Sequence, residues 1–311
     1  MTPPCSFLLG AIVLSSAACS SGPGPGPPAP ENASLQLFGF VGVACEDDYS
    51  DELAGFTNVA TVCAPDPAVA GPVGDQLGVF DRRGLRALLN AEGVFFKEAP
   101  TAPTAPYGGP PLELRDDYRS RWEALVAGAR LVRQRATLAA VFVADEPTWR
   151  GVSPEDLAAA YAVVEATLPD VPLLLVEAHP VLARLQVPPS VDWVAFDRYG
   201  VLDPESDPAY LADLSALKGR RSRPSQRVVL VMEAQWLPEY SDSGVQPETM
   251  GGVAESYYRL ARRDTSVIGV VGYLWPGGRD TPGQLGARDL PESVRAVYRE
   301  IGREIVQNNA P

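Results

Sequence analysis

Two apolar runs in this chain end in a glutamate: VFVADEP (141–147) delivers Glu146, and VVLVMEAQW (228–236) delivers Glu233. Runs this apolar read as strands buried on both faces, the pattern of a parallel sheet. An ionised carboxylate avoids such a place unless it has a partner or a task. Two carboxylates in differing surroundings can divide labour, one holding a proton while the other stays charged.

These glutamates require elements to position them. After residue 35 the sequence alternates strand-like and helix-like segments. Strands are expected at 37–43, 57–62, 94–99, 138–144, 172–178, 191–200, 227–233 and 267–275. Helices are expected at 81–93, 115–136, 153–168, around 180–186, 207–219, 247–263 and 290–306. Ser153, Pro154, Glu155 and Asp156 mark one helix start clearly, as cap, first-turn proline and first-turn acids. Eight strands, each followed by something helical, predict a single α/β domain, a (β/α)8 TIM barrel over 35–311, with an open doubly wound sheet as the alternative.

In such a barrel the C-terminal strand ends share one crater. The residues delivered there are Glu46, Asp47, Asp48 and Tyr49 from strand one, and Lys97 and Glu98 from strand three. Strand four supplies Asp145 and Glu146, strand five Glu177 and His179, strand six Asp197, Arg198 and Tyr199. Strand seven adds Glu233, Gln235 and Trp236, and strand eight Tyr273 and Trp275. Paired carboxylates with flat rings suit glycosidic bond hydrolysis: an acid for the leaving oxygen, a carboxylate for the developing positive charge, and platforms for sugar faces. Trp149, Trp236 and Trp275 are candidate platforms, or large aromatics roofing the core. Asp197 and Glu177 are candidate substrate-side carboxylates, His179 a rim or structural residue, and the acids at 46–48 a helix cap or a cation site.

The motifs DEP (145–147), VME (231–233), VDWVAFDRYG (191–200) and YLWPGG (273–278) resemble segments of the clan A retaining glycoside hydrolases. That resemblance implies Glu146 as acid/base at the end of strand four and Glu233 as nucleophile at the end of strand seven. It also implies Tyr199 orienting Glu233 and Trp275 beneath the sugar. Asp145 stands where the family carries an asparagine that binds a sugar hydroxyl. A glycan-binding or scaffold barrel without turnover is the competing expectation, since fold alone does not establish activity.

The 311 residues carry 39 acidic and 26 basic side chains, a net charge of −13. Such a balance gives no footprint for nucleic acid, and on net charge alone an anionic membrane would repel the body. One histidine and no CxxC, HExxH or phosphate-loop pattern leave no recognisable metal or cofactor motif. None is expected, and the expected assembly is a monomer acting on carbohydrate.

The apolar stretch FLLGAIVL (7–14) runs into SSAAC (15–19) and reads as an export signal. The small residues before Cys19 resemble a bacterial lipoprotein signal, which implies lipid attachment at Cys19; plain secretion is the alternative. Residues 1–19 are thus expected to be a leader and 20–34 a Pro/Gly-rich tether. Export to a cell envelope or beyond is oxidising, and Cys45 and Cys63 fall at neighbouring strand ends. They are expected to form a disulfide, with two buried thiols as the alternative.

Overall fold

The computed structural model describes residues 32–99 and 110–307. Cys19, the leader and most of the tether lie outside the described residues. The eight strands of the barrel are β1 (Leu37–Ala44), β2 (Val59–Cys63), β3 (Arg86–Asn90), β4 (Leu138–Phe142), β5 (Leu174–Ala178), β6 (Trp193–Asp197), β7 (Arg227–Glu233) and β8 (Val267–Tyr273). All are parallel, in the order β4-β3-β2-β1-β8-β7-β6-β5. The seam between β4 and β5 is closed by bridges Val141–Leu173 and Asp145–Val176, with the Val141 amide donating to the Pro172 carbonyl at 3.0 Å. The protein is therefore a (β/α)8 barrel.

The period-two alternation of the strands makes two cores. On β7, Val228, Leu230 and Met232 pack outward against the helices, while Val229 and Val231 point inward with Leu37, Leu88, Leu174 and Val271. The outer layer comprises α1 (Ser50–Leu53), α2 (Ala70–Arg82), α3 (Tyr118–Gly128), α4 (Pro154–Thr167), α5 (Pro208–Arg220), α6 (Met250–Arg263) and α7 (Glu292–Gln307). After β5 there is only a 3-10 segment, His179–Arg184. Ser153 caps α4 as its sequence predicts, its Oγ accepting the Asp156 amide at 3.0 Å.

The third repeat corrects the sequence reading. The helix lies at Ala70–Arg82, ahead of the expected 81–93, and β3 is Arg86–Asn90 rather than 94–99. Phe96–Glu98 instead pairs antiparallel with Leu112–Leu114 beside the barrel, so Lys97 and Glu98 do not end a barrel strand. α2 carries Gly71, Pro72, Gly74 and Gly78 and has poor intrinsic helix propensity. Tertiary packing supplies the reason: a Cβ on Gly74 would come within 3.1 Å of the Ala129 backbone, and one on Gly128 within 2.6 Å of Ala70 Cβ. Glycines let α2 and α3 approach closely.

A second correction concerns the chain start. Asn32, expected in the tether, is buried, and its Nδ2 lies 2.8–2.9 Å from the carbonyls of Ala261, Asp264 and Val267. Cys45 and Cys63, just past β1 and at the end of β2, are joined, with Cα atoms 4.6 Å apart. Among the described residues no helix is long and apolar enough to cross a membrane.

Candidate active site

Glu146 sits just beyond β4, where the backbone turns sharply and gives it a φ of 48°, a left-handed conformation rare outside glycine. Such strain persists only where the surroundings impose it. Glu92 accepts the Asp145 amide at 2.9 Å and binds Arg150 Nη1 at 2.7 Å. Glu177, fully buried at the end of β5, accepts the amides of Thr148 at 2.8 Å and Trp149 at 3.4 Å. These two glutamates hold the loop that presents Glu146. Burial outweighs the hydrogen bonds at Glu177 and pushes its carboxyl up to about 8.

The crater is a cavity of about 450 Å³ whose upper wall includes Asp145, Glu146, Asp197, Tyr199 and Tyr273, with Val229, Val231 and Leu174 below. Glu146 and Asp197 line the cavity together, and each carboxyl alters the proton affinity of the other, so the two titrate as a pair. Burial raises the pKa of Glu146, and burial followed by the Glu146 charge raises that of Asp197 well above the ordinary aspartate range. Asp145 faces the open crater but is enclosed by protein on its other sides. Burial, then Glu146 and Glu92, push its carboxyl up, while Arg150 and Arg279 oppose this. Its side chain is exposed to solvent on the crater side, so the full shift applies only when a ligand covers it.

Glu233, at the end of β7, has no exposed surface and is not among the residues lining the cavity. Its Oε1 accepts from Tyr240 Oη at 2.7 Å and Gln235 Nε2 at 3.3 Å, and its Oε2 accepts the Gly200 amide. Burial still dominates and pushes its carboxyl up to about 7, against those three donors. The tyrosine that orients Glu233 is therefore Tyr240, from the 3-10 segment Pro238–Ser243, and not Tyr199 as the resemblance implied. Tyr199 instead packs on Tyr273, centroids 5.2 Å apart and rings tilted by 35°, and this pair lines the crater together with Phe142.

The tryptophans do not line the cavity. Trp275 is buried against Phe40, centroids 4.9 Å apart, and donates to Glu52 Oε2 at 2.8 Å. Trp236 donates to the Val245 carbonyl at 3.0 Å, and Trp149 sits on the loop held by Glu177. Glu177 and His179 also lie off the cavity; burial followed by Arg198 lowers the His179 pKa. Arg198 turns outward to Asp213. Among the acids at 46–48, Asp48 accepts the Ser50 amide at 2.9 Å in the turn entering α1.

Sequence reasoning missed Glu92, Tyr240, Gln284 and Asp280. Gln284 donates to Gln235 and to Asp280 at 2.9 Å, and Tyr273 Oη donates to Asp280 at 2.8 Å, so a hydrogen-bonded chain runs from Glu233 to the crater rim. Correct placement of β3 would have exposed Glu92, two residues past its end; the others arrive on loops with no motif. Among the described residues no group of three or more His, Cys, Asp or Glu side chains is arranged to hold a metal ion.

This arrangement can hold a proton at neutral pH beside an acidic cavity with aromatic faces. Comparison with solved structures bears on its architecture. Xylanase 10B from Thermotoga maritima superposes over 89% of this chain and 98% of its own, with a TM-score of 0.53 at 9% identity. The GH113 β-mannanase of Alicyclobacillus acidocaldarius gives 0.54 at 14% identity over 88% of this chain and 97% of its own. The likeness is one of fold. A β-glucuronidase from an uncultured Clostridium species gives 0.61 at 12% identity, covering 87% of this barrel but 50% of that longer chain. No family model matches this barrel, and no curated protein matches it in sequence.

Proposed function

We propose that this barrel hydrolyses the glycosidic bonds of a poly- or oligosaccharide with retention, Glu146 acting as acid/base and Glu233 as nucleophile. The observation that carries the reading is Glu146, held in a strained turn just past β4 and placed with Asp197 on the wall of an acidic, tyrosine-lined crater. Its support is the fold shared with xylanases and mannanases.

In the first step Glu146 gives its proton to the glycosidic oxygen as the bond to the anomeric carbon breaks, and the Glu233 carboxylate forms an ester to that carbon. In the second, the Glu146 carboxylate takes a proton from water, whose oxygen displaces Glu233 and restores both groups. Asp197, whose own carboxyl pKa is raised, stabilises the Glu146 carboxylate between the two steps. Tyr199 and Tyr273 offer ring faces to the sugar, and Asp145 a hydroxyl contact. Glu233 lies behind the cavity wall, so the reaction needs the Tyr240 segment to shift when substrate binds.

That sequestration, with no tryptophan on the cavity wall, favours a second reading: a glycan-binding barrel without turnover. A panel of plant and microbial polysaccharides and aryl glycosides decides between them. Turnover abolished by both Glu146→Gln and Glu233→Gln supports hydrolysis; turnover surviving both removes the assignment; saturable binding without turnover establishes the second reading. We place the protein as a monomer in the cell envelope, lipidated at Cys19, or secreted; the mass of the mature N-terminal peptide tests this.

A further inference from the structure

The net charge of −13 conceals a polarity along the barrel axis. Acids crowd the C-terminal rim, whereas arginines cluster on the opposite face, in the segments that lead into strands. Arg130, Arg133 and Arg135 precede β4, Arg220 precedes β7, and Arg86 and Arg227 are the first residues of β3 and β7. All but the half-buried Arg227 are exposed, and none has an ion-pair partner among the described residues. Where hydrogen bonds are seen they go to carbonyls, Arg135 to Val132 at 2.9 Å and Arg227 to Thr265 at 2.6 Å. Some acids of this face are spent, Asp192 pairing with Arg223 and Asp264 with Lys218, while Asp81, Asp170 and, in the last turn of α4, Glu165 stay exposed.

Arg86 and Arg227 flank a depression of about 330 Å³ at the barrel's end, floored by Leu37 and Ile268 and edged by the half-buried Trp193. Beside it lies Asn32, the first of the described residues, held to the Asp264 and Val267 carbonyls. Cys19 lies a short stretch upstream. We propose that this arginine face docks on an anionic phospholipid surface, holding the acidic crater away from it. Strands of up to eight residues separate the two ends by roughly 20 Å, whereas exposed charges are screened beyond about 8 Å at physiological salt. The crater's acids therefore do not cancel the attraction, and repulsion inferred from net charge does not apply to this orientation. Guanidinium groups pair bidentately with phosphate, and an aromatic edge such as Trp193 suits the headgroup level.

The test uses the full chain carrying Cys19→Ala, so that no lipid anchor contributes, and co-sedimentation with phosphatidylcholine vesicles with or without phosphatidylglycerol. The expected result is binding that requires phosphatidylglycerol and weakens with salt. Each arginine near such a surface contributes about a five-fold factor, so Arg86→Gln, Arg227→Gln, Arg130→Glu and Arg133→Glu combined lower partitioning by roughly three orders of magnitude or more. Arg119→Gln, at the crater-side start of α3, leaves it unchanged. Thermal unfolding of each variant verifies folding, and the exposed pair Arg130→Glu/Arg133→Glu alone still shows a drop. Equal binding to neutral vesicles, or indifference to the arginine variants, overturns the proposal. So does retention on an anionic polysaccharide resin without vesicle binding.

Discussion

A buried carboxylate stays charged near neutral pH only if its hydrogen bonds outweigh the water it has lost, and Glu233 is close to that balance. Three donors hold it, yet its pKa rests at about 7. Removing the Tyr240 hydroxyl removes a group that favours the charged form, so the pKa must rise further. Tyr240→Phe is expected to move the acidic limb of the kcat/KM profile to higher pH, since the nucleophile must be deprotonated; an unmoved limb means that the limb is not Glu233. At this scale the two glutamates were legible from an apolar run ending in an acid. The meeting of Glu146 with Asp197 was not, because it depends on two strand ends converging.

At the scale of elements, Glu177 shows how a side chain can serve a neighbouring loop. It holds the Thr148 and Trp149 amides and thereby the turn that strains Glu146. Its folded pKa of about 8 lies above its ordinary 4.5. The folded state therefore binds more protons between those values: the stability from this group is full below about pH 4.5 and lost as pH rises through about 8. Glu177→Gln keeps an acceptor for Thr148 and is expected to flatten the fall in melting temperature between pH 5 and pH 8, read by calorimetry. The Cys45–Cys63 bridge ties the β1 end to the β2 end across a separation of 18 residues. A loop of that size stabilises by about 3 kcal/mol, which Cys45→Ala/Cys63→Ala is expected to lose in chemical denaturation. The misplaced third repeat has a related cause: short apolar runs do not distinguish strand from helix. Gly84, with a φ of 70° after Arg83, was the available signal that α2 had ended.

At the scale of the molecule, the barrel is tied by contacts between Asn32, ahead of β1, and the segment leading into β8. Asn32→Ala would strip three carbonyls near β8 of their side-chain donor. Its expected cost is about 1–3 kcal/mol, measurable by urea unfolding, with the crater unaffected. The arginine and carboxylate faces likewise exist only in the assembled barrel, although every charge was countable beforehand.

The sequence by itself determined a count of eight strand–helix units, the third of them misplaced, and put Glu146 and Glu233 near strand ends, because strand alternation, helix caps and turn chemistry are local properties of the chain; closure of the barrel was left to the structure. Only the tertiary structure decided that Glu146 and Asp197 meet on one cavity wall, that Tyr240 rather than Tyr199 holds Glu233, and that Trp236 and Trp275 pack against the core. Those outcomes depend on distances between loops far apart in sequence, where burial and hydrogen-bond partners are set by packing that no local pattern encodes.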